Sequence, residues 1–499
     1  MSGFDFSAML AILGLILIFI LNIKVFMAKP SKQQSPPGPK PWPVIGNLHI
    51  LNLKRPYQTM LELSKKYGPI YSIQMGPRKV LVLSGYETVK EALVNYGNQF
   101  GERSQVPIFE RLFDGKGIAF AHGETWKTMR RFSLTTLRNF GMGKQIIEDT
   151  IIAECQHLIQ SFESHKGKPF EIKRVLNASV ANVIVSVLLG KRFDYQDPQF
   201  LRLLTLIGEN IKLIGHPSIV LFNMFPIMGF LLRSHKKVLR NRDELFSFIR
   251  MTFLEHRHNL DKNDPRSLID AFLIRQEEEN NASADYFNEE NLLALVSNLF
   301  TAGTETTAST LRWGIILMMR YPEVQKKVHD EIIKVVGSAQ PRIEHRTQMP
   351  YTDAVIHEIQ RVANILPTSL PRETTTDVVF KNYYIPKGTE VITLLTSVLR
   401  DQTQWETPDT FNPAHFLSPK GRFVKKEAFM PFSVGRRMCA GEPLAKMELF
   451  LFFTSLMQKF TFQPPPGVSH LDLDLTPDIG FTIQPRPHKI CALLQASAF

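Results

Sequence analysis

The ten residues Phe432-Ser433-Val434-Gly435-Arg436-Arg437-Met438-Cys439-Ala440-Gly441 restrict this chain more than any other stretch. They set one cysteine among glycines and arginines, directly ahead of a strongly helical run from Pro443 to Lys459. A thiolate persists at neutral pH only in positive electrostatic surroundings, and a helix N-terminus with free backbone N–H groups supplies them. Gly435 and Gly441 let the backbone come close. Phe432 can cover one edge of a flat cofactor, and Arg437, two residues before the cysteine, can reach negative charge on its rim. The segment is expected to seat a metal-bound thiolate.

The chain has only three cysteines, Cys155, Cys439 and Cys491. That is too few for a disulfide framework or a zinc cluster, and it fits a reducing, cytosol-facing environment. With 499 residues, 44% of them hydrophobic, one large core is within reach. Ala8 to Leu21 is an unbroken apolar run, extended by Ile23 and by Val25 to Ala28. It matches the roughly twenty residues that cross a bilayer. Asp5 precedes it, and Lys24, Lys29, Lys32 and Lys40 lie on or beyond its far end. This charge order suits an uncleaved anchor rather than a signal peptide and leaves the body in the cytosol. A formal charge of +12 admits nucleic acid, an anionic membrane or an acidic protein. Nucleic acid ranks last, since no RNP-like aromatic stripe, zinc finger or arginine-rich tail accompanies the charge.

Residues 1–28 are therefore expected to form the anchor, 29–45 a proline-rich hinge, and 46–499 the body. Pro36-Pro37-Gly38-Pro39-Lys40-Pro41-Trp42-Pro43 cannot be helix or inner strand and should be a stiff extended link. A helix over Tyr57 to Tyr67 is followed by alternating strands, Ile70 to Met75 and Val80 to Ser84, about Gly76-Pro77. Helical periodicity then dominates from Glu87 to about Tyr321, with breaks at Gly141, Pro169, Pro217 and Pro265. Short strands return near Val378 to Phe380, at Tyr384 to Ile385, and near the C-terminus. The fold class is mainly α with minor β, in one large domain, with no internal repeat.

Asn288 to Arg320 reads as a helix of unusual length, and its middle is Ala302-Gly303-Thr304-Glu305-Thr306-Thr307. Gly303 alone costs about 1 kcal/mol against alanine. Such a violation in an apolar helix points to function. Ala302 and Thr306, at i and i+4, share a face on which a small residue admits a flat ligand and a hydroxyl stands beside it. Glu305 lies about 100° round the helix, suited to relaying protons rather than touching the cofactor. A threonine bonded back to its own helix and a glutamate in a buried ion pair is the bland alternative. Downstream, Tyr351 to Ala363 reads as a helix with Glu358 and Arg361 paired at i, i+3.

The pattern F-x-x-G-x-R-x-C-x-G resembles the haem-binding loop of the cytochromes P450. The order of proline hinge, Gly76 hairpin, long helix and cysteine loop is similar to that family over essentially the whole chain. Phe411-Asn412-Pro413-Ala414-His415-Phe416 and Leu366-Pro367-Thr368-Ser369-Leu370-Pro371 resemble vertebrate microsomal members of family two. The resemblance implies the P450 fold, haem b and oxygen activation. Cys439 would be the axial ligand of the haem iron, and Thr306 and Glu305 the acid–alcohol pair beside bound oxygen. Glu358 and Arg361 would form the core ion pair completed by His415, a structural role. Haem propionates need cations, and Arg103, Trp126 and Arg130 in W-x-x-x-R, Arg372 and Arg437 match the family positions. Ala302, Phe432, Gly435 and Gly441 would lie near the cofactor. Ile118, Ala119, Phe120, Ala302, Leu366, Leu370 and Phe481 would line a pocket for lipophilic substrates, among them fatty acids, xenobiotics or steroids.

A thiolate ligand favours O–O cleavage, a property for which this family is the usual example. Such chemistry takes two electrons from outside. The chain has no G-x-G-x-x-G after a strand and no P-loop, so NADPH must act indirectly. The resemblance implies a separate NADPH-dependent diflavin reductase, with a small haem electron carrier as a second donor. Arg130, Arg131, Arg138 and Lys144, with Arg422, Lys425, Lys426 and Arg436, would suit an acidic partner. Phe222 to Phe230 could dip into the membrane surface. The expected location is the endoplasmic reticulum membrane, with the catalytic domain facing the cytosol. Two other readings stay open on sequence grounds. One is a haem-thiolate isomerase or dehydratase acting on lipid peroxides without reductase; the other is a non-catalytic haem sensor or carrier. The presence of Glu305 and Thr306 argues against both.

Overall fold

The computed structural model describes residues 34–278 and 284–495. The expected anchor over residues 1–28 lies outside them. Among the described residues, no helix is long and apolar enough to cross a membrane.

The body is helical, with its sheets at the margins. The helices before the longest one are α1 (Pro56–Tyr67), α2 (Tyr86–Val94), α3 (Pro107–Phe113), α4 (Gly123–Asn139), α5 (Gln145–Glu163), α6 (Lys173–Leu189), α7 (Pro198–Ile214), α8 (Pro217–Met224), α9 (Ser234–His258) and α10 (Leu268–Glu278). The remainder are α11 (Glu289–Arg320), α12 (Pro322–Val335), α13 (Pro350–Ala363), α14 (Leu395–Leu399) and α15 (Glu442–Lys459). The main sheet has the order β1 (Ile70–Met75), β2 (Arg78–Leu83), β8 (Glu390–Thr393), β5 (Arg372–Glu373) and β3 (Glu102–Arg103). A second sheet joins β4 (Phe170–Glu171), β12 (Lys489–Leu494) and β9 (Phe460–Gln463). Two-stranded ribbons pair β6 (Val378–Phe380) with β7 (Tyr383–Ile385), and β10 (Pro477–Asp478) with β11 (Gln484–Pro485). The strands β3 and β4 fall inside the stretch expected to be helical. Two residues are too few to show a period of two.

The axis of the fold is α11, 32 residues and so about 48 Å long at 1.5 Å per residue. Asn288 caps it by accepting from the Asn291 N–H, and Pro322 ends it. Most of α11 is buried, because α6, α13 and α15 pack around it. Helix α6 is itself apolar on most sides, from Leu176 to Leu189, and it runs against the middle of α11. Gly303 has a packing reason there: a Cβ on it would lie 3.0 Å from Ile184 Cγ1. The expected functional meaning of this glycine thus shares the site with plain close contact between helices.

The proline stretch forms neither helix nor strand from Pro36 to Pro41, turns over at Pro43, and is pinned to the sheet. Ser72 donates from its N–H to the Pro37 carbonyl at 2.7 Å, and a Cβ on Gly38 would come within 1.9 Å of the Ser72 carbonyl oxygen. Only glycine allows the segment to lie that close along β1.

Candidate active site

The cysteine loop is shaped by two backbone demands. Gly435 has φ +78°, and a Cβ on it would stand 2.0 Å from the Leu93 carbonyl oxygen, so glycine is required. The Cys439 N–H donates to the Phe432 carbonyl at 3.0 Å, closing the loop just before α15 starts at Glu442. Cys439 is open on one side, while burial on the others pushes its thiol up. The N–H groups of Gly441 and Glu442 and the charge of Arg130 act the other way. A Cβ on Gly441 would meet no protein atom within 4 Å.

Arginines crowd beside this loop. Arg437 is held by three bonds that leave two of its five N–H groups over: Nε donates to Gly101 O at 3.0 Å, Nη1 to Ala121 O at 2.9 Å and Nη2 to Glu102 Oε1 at 2.8 Å. Its guanidinium sits 3.8 Å from the centroid of the Trp126 ring. Arg130 Nη2 donates to the Met438 carbonyl at 2.9 Å. Arg103, buried on β3, gives Nε to Ala119 O and Nη1 to Leu370 O. Arg372 on β5 has one long bond, Nη1 to Phe100 O at 3.4 Å, and its buried Nε and Nη2 have no partner among the described residues. Burial pushes Arg372 down to about 10. Arg437 is pushed down to about 9 by burial and by Arg372, Arg130 and Arg436, against the pull of Glu102. Buried cations in such numbers call for an anion, since an unpaired buried charge is expensive.

Helix α11 carries the alanine and threonine that the sequence singles out. Ala302 is exposed and Thr306 half-buried in a helix whose neighbouring turns are buried. The Thr306 hydroxyl donates to the Ala302 carbonyl at 2.8 Å, which leaves its lone pairs as acceptors. Glu305 points elsewhere and is buried. Arg312 Nη2 and Ser309 Oγ donate to its Oε1 at 3.2 Å each, and Asn177 Nδ2 donates to Oε2 at 3.1 Å. Both local geometries named above as the bland alternative are therefore present, and neither blocks the Thr306 oxygen.

Glu358, Arg361 and His415 meet as one unit. Arg361 forks onto Glu358 with two bonds of 2.7 Å and donates further to the carbonyls of Leu399, Pro408 and Thr410. His415 Nε2 accepts from the Thr407 N–H, so Nδ1 carries the proton that goes to Glu358 at 3.2 Å.

Of the pocket residues, Ala119, Phe120, Leu370 and Phe481 join one apolar cluster. Ile118 belongs to the main core, and Leu366 is half-buried in the turn bonded to Ser369. Sequence reasoning missed Phe109, which stacks on Phe120 at 3.6 Å and meets Phe481 edge-on at 5.5 Å. It also missed Asn298, whose Oδ1 accepts from the N–H groups of Ile118 and Ala119 and so aims this loop. The signal for Asn298 was an amide inside an apolar helix repeat. Arg312, an isolated charge before an apolar run, was readable in the same way.

This donor set fits haem. One open cysteine at a helix N-terminus, open space beside Gly441, and buried guanidinium N–H groups on Arg372 without partners among the described residues are what an iron porphyrin with two propionates needs. The cytochrome P450 family pattern matches residues 36–492. Cytochrome P450 2K6 of Danio rerio is 52% identical over 460 residues, 90% of this chain and 90% of the relative. Cytochrome P450 2K1 of Oncorhynchus mykiss is 48% identical over 495 residues, covering 98% and 97%. Cytochrome P450 2C5 of Oryctolagus cuniculus is 45% identical over 483 residues, covering 96% and 98%. The chain belongs to the cytochrome P450 family, among its family-two members, and is a haem-thiolate monooxygenase of lipophilic substrates.

Proposed function

We propose a residue-by-residue division of labour for this monooxygenase, carried by one observation: the open thiol of Cys439 shares its loop with Arg437, whose neighbour Arg372 is buried with Nε and Nη2 unpartnered among the described residues. Cys439 holds the haem iron, and Arg372, Arg103, Arg130 and Arg437 with Trp126 hold the propionate edge. When bound, the haem supplies dioxygen binding and O–O cleavage pushed by the thiolate. Thr306 offers an acceptor beside Ala302, and it hands on a proton when its hydroxyl turns from the Ala302 carbonyl. Glu305 organises proton approach from a fixed station, because Arg312, Ser309 and Asn177 hold both carboxylate oxygens. Glu358, Arg361 and His415 brace the loop chain that ends at the cysteine.

The substrate enters an apolar space formed by Ala119, Phe120, Leu370, Phe481 and Phe109, with Ile118, Leu366 and Ala302 at its margins. That lining excludes water and selects fatty acids, xenobiotics or steroids over polar molecules. Electrons come from an NADPH-dependent diflavin reductase, with a small haem protein as alternative donor. Arg131, Arg138, Lys144, Arg422, Lys425 and Arg436 are exposed and support a basic docking face for an acidic partner. Contact with a membrane surface, which the proposed location at the endoplasmic reticulum facing the cytosol requires, draws support from the 3-10 turn Pro226–Phe230, where Ile227 is 86% and Phe230 72% exposed. The test is turnover of a lipid panel with reductase and NADPH. Thr306→Ala should keep NADPH consumption while losing most hydroxylated product. Full product formation by that variant would remove Thr306 from proton delivery.

A further inference from the structure

His122, the residue ahead of α4, carries a carboxylate at each ring nitrogen. Nε2 lies 3.0 Å from Glu110 Oε1 on α3, and Nδ1 lies 3.5 Å from Glu102 Oε1 on β3. Ionised carboxylates only accept, so a neutral imidazole with its single N–H serves one of them and the doubly protonated ring serves both. The two carboxylates belong to different parts of the site. Glu102 is the partner of Arg437, whereas Glu110 follows Phe109, the residue stacked on Phe120. The ring therefore ties the cofactor edge to the helix that carries an aromatic wall of the apolar cluster.

Helix α3 needs such a tie. It has seven residues and no side-chain cap at Val106, so tertiary contacts must hold it. On its far side Arg242 donates to the carbonyls of Arg111 and Leu112, and Asn223 accepts from the Ile108 N–H. On the cofactor side the contact is His122, against which the turn after α3 also presses: a Cβ on Gly115 would come within 3.1 Å of its Cδ2.

We propose that doubly protonated His122 is a clasp that seats α3 against the cofactor edge, and that it is thereby a positioning residue for the substrate contact made by Phe109. This rests on the reading of the Phe109–Phe120–Phe481 cluster as substrate pocket. The charged groups facing the ring are Glu102 from β3 and Glu110 from α3, with the Arg437 guanidinium bonded to Glu102 and the Arg103 charge acting on Glu102 without a side-chain bond to it. The Glu102 bond, joined by Glu110, outweighs burial and raises His122 above the ordinary histidine value of 6.5. A raised cationic group gives its hold in full below 6.5 and loses it as pH climbs through the higher folded value. The clasp closes in acid and slackens in alkali.

The test follows amide hydrogen exchange of residues 107–113 in full-length haem-loaded protein across neutral to alkaline pH, corrected for intrinsic rates, alongside spectral titration with laurate. The clasp predicts a several-fold loss of α3 protection through the His122 titration. It also predicts that Glu110→Gln and His122→Gln remove that pH dependence and weaken laurate binding several-fold. Glu110→Gln leaves the Glu102–Arg437 bond in place, so it gives the answer if His122→Gln does not load haem. Protection of α3 that stays constant with pH in the unaltered protein overturns the clasp. Normal laurate affinity in Phe109→Ala, with the pH-dependent exchange intact, overturns the pocket reading and the positioning role while the clasp itself stands.

Discussion

Arg437 sits 3.8 Å from the Trp126 ring centroid while its Nη2 donates to Glu102 at 2.8 Å. The guanidinium is thus fixed in place by a ring and a carboxylate before any propionate reaches it. Lysine cannot reproduce this, since its ammonium lacks the planar fork. Arg437→Lys should lower haem content per mole of protein, and Trp126→Ala should do so as well, because it removes the ring beneath Arg437 and leaves a cavity at a buried position, a loss of about 3–5 kcal/mol. Pyridine haemochrome assay against total protein measures both.

The Glu358–Arg361 pair is fully buried, with His415 on the same carboxylate. Glu358→Ala strands the Arg361 charge at a cost of roughly 3–5 kcal/mol. That is a large share of a typical folding stability of about 5–15 kcal/mol. Expression of this variant should give little or no holoprotein, and the Soret absorbance of the purified fraction reads the result directly.

Below pH 4.5 the protonation of Glu102 should cost the protein stability. Burial alone would raise Glu102, but bonds from His122 and the Arg103 N–H, with the Arg437 charge and the Gly123 N–H, bring it down from 4.5 to about 2. A depressed carboxyl contributes stability above its unfolded value of 4.5, and that contribution is lost as pH falls toward 2. Glu102→Gln should therefore flatten the decline of stability between those two pH values. Denaturant midpoints at stepped pH check the slope.

Glu448 on α15 shows the opposite linkage. It is buried, its Oε2 accepts from the Thr307 hydroxyl at 3.3 Å, and its Oε1 has no partner among the described residues. Burial raises this carboxyl well above 4.5, with only the Thr307 bond opposing. The folded protein keeps the proton after the unfolded chain has released it, so stability is lost as pH rises above 4.5. Glu448→Gln should leave the fold intact and match or exceed the parent Tm at pH 7 to 8. The infrared band of a protonated carboxyl should disappear in that variant.

Much of the site could be read from the chain wherever its spacing was local. Cys439 came with Phe432, Gly435, Arg437 and Gly441 in one loop, and Glu358 with Arg361 one helical turn apart. What stayed hidden was assembled from distant segments. His122 gathers Glu102 and Glu110 from β3 and α3, and no pattern in sequence distance marks that meeting. Phe109 reads as any core aromatic until Phe120 and Phe481 are seen against it. Gly303 carries two readings, because a poor helix residue points to chemistry and the structure adds a close contact with Ile184 that favours a small residue. The proline stretch reads as a stiff extended link because composition gives stiffness and not docking; the bonds to Ser72 supply its place on the sheet.

The central claim is that Cys439 ligates the haem iron as a thiolate. A carbon monoxide difference spectrum of the reduced, full-length protein tests it most directly. The account predicts a red-shifted Soret band characteristic of thiolate ligation, lost in Cys439→Ser and retained in Cys155→Ser and Cys491→Ser. A haem-loaded parent protein that shows no such band, or a Cys439→Ser variant that keeps it, would contradict the assignment of the proximal ligand.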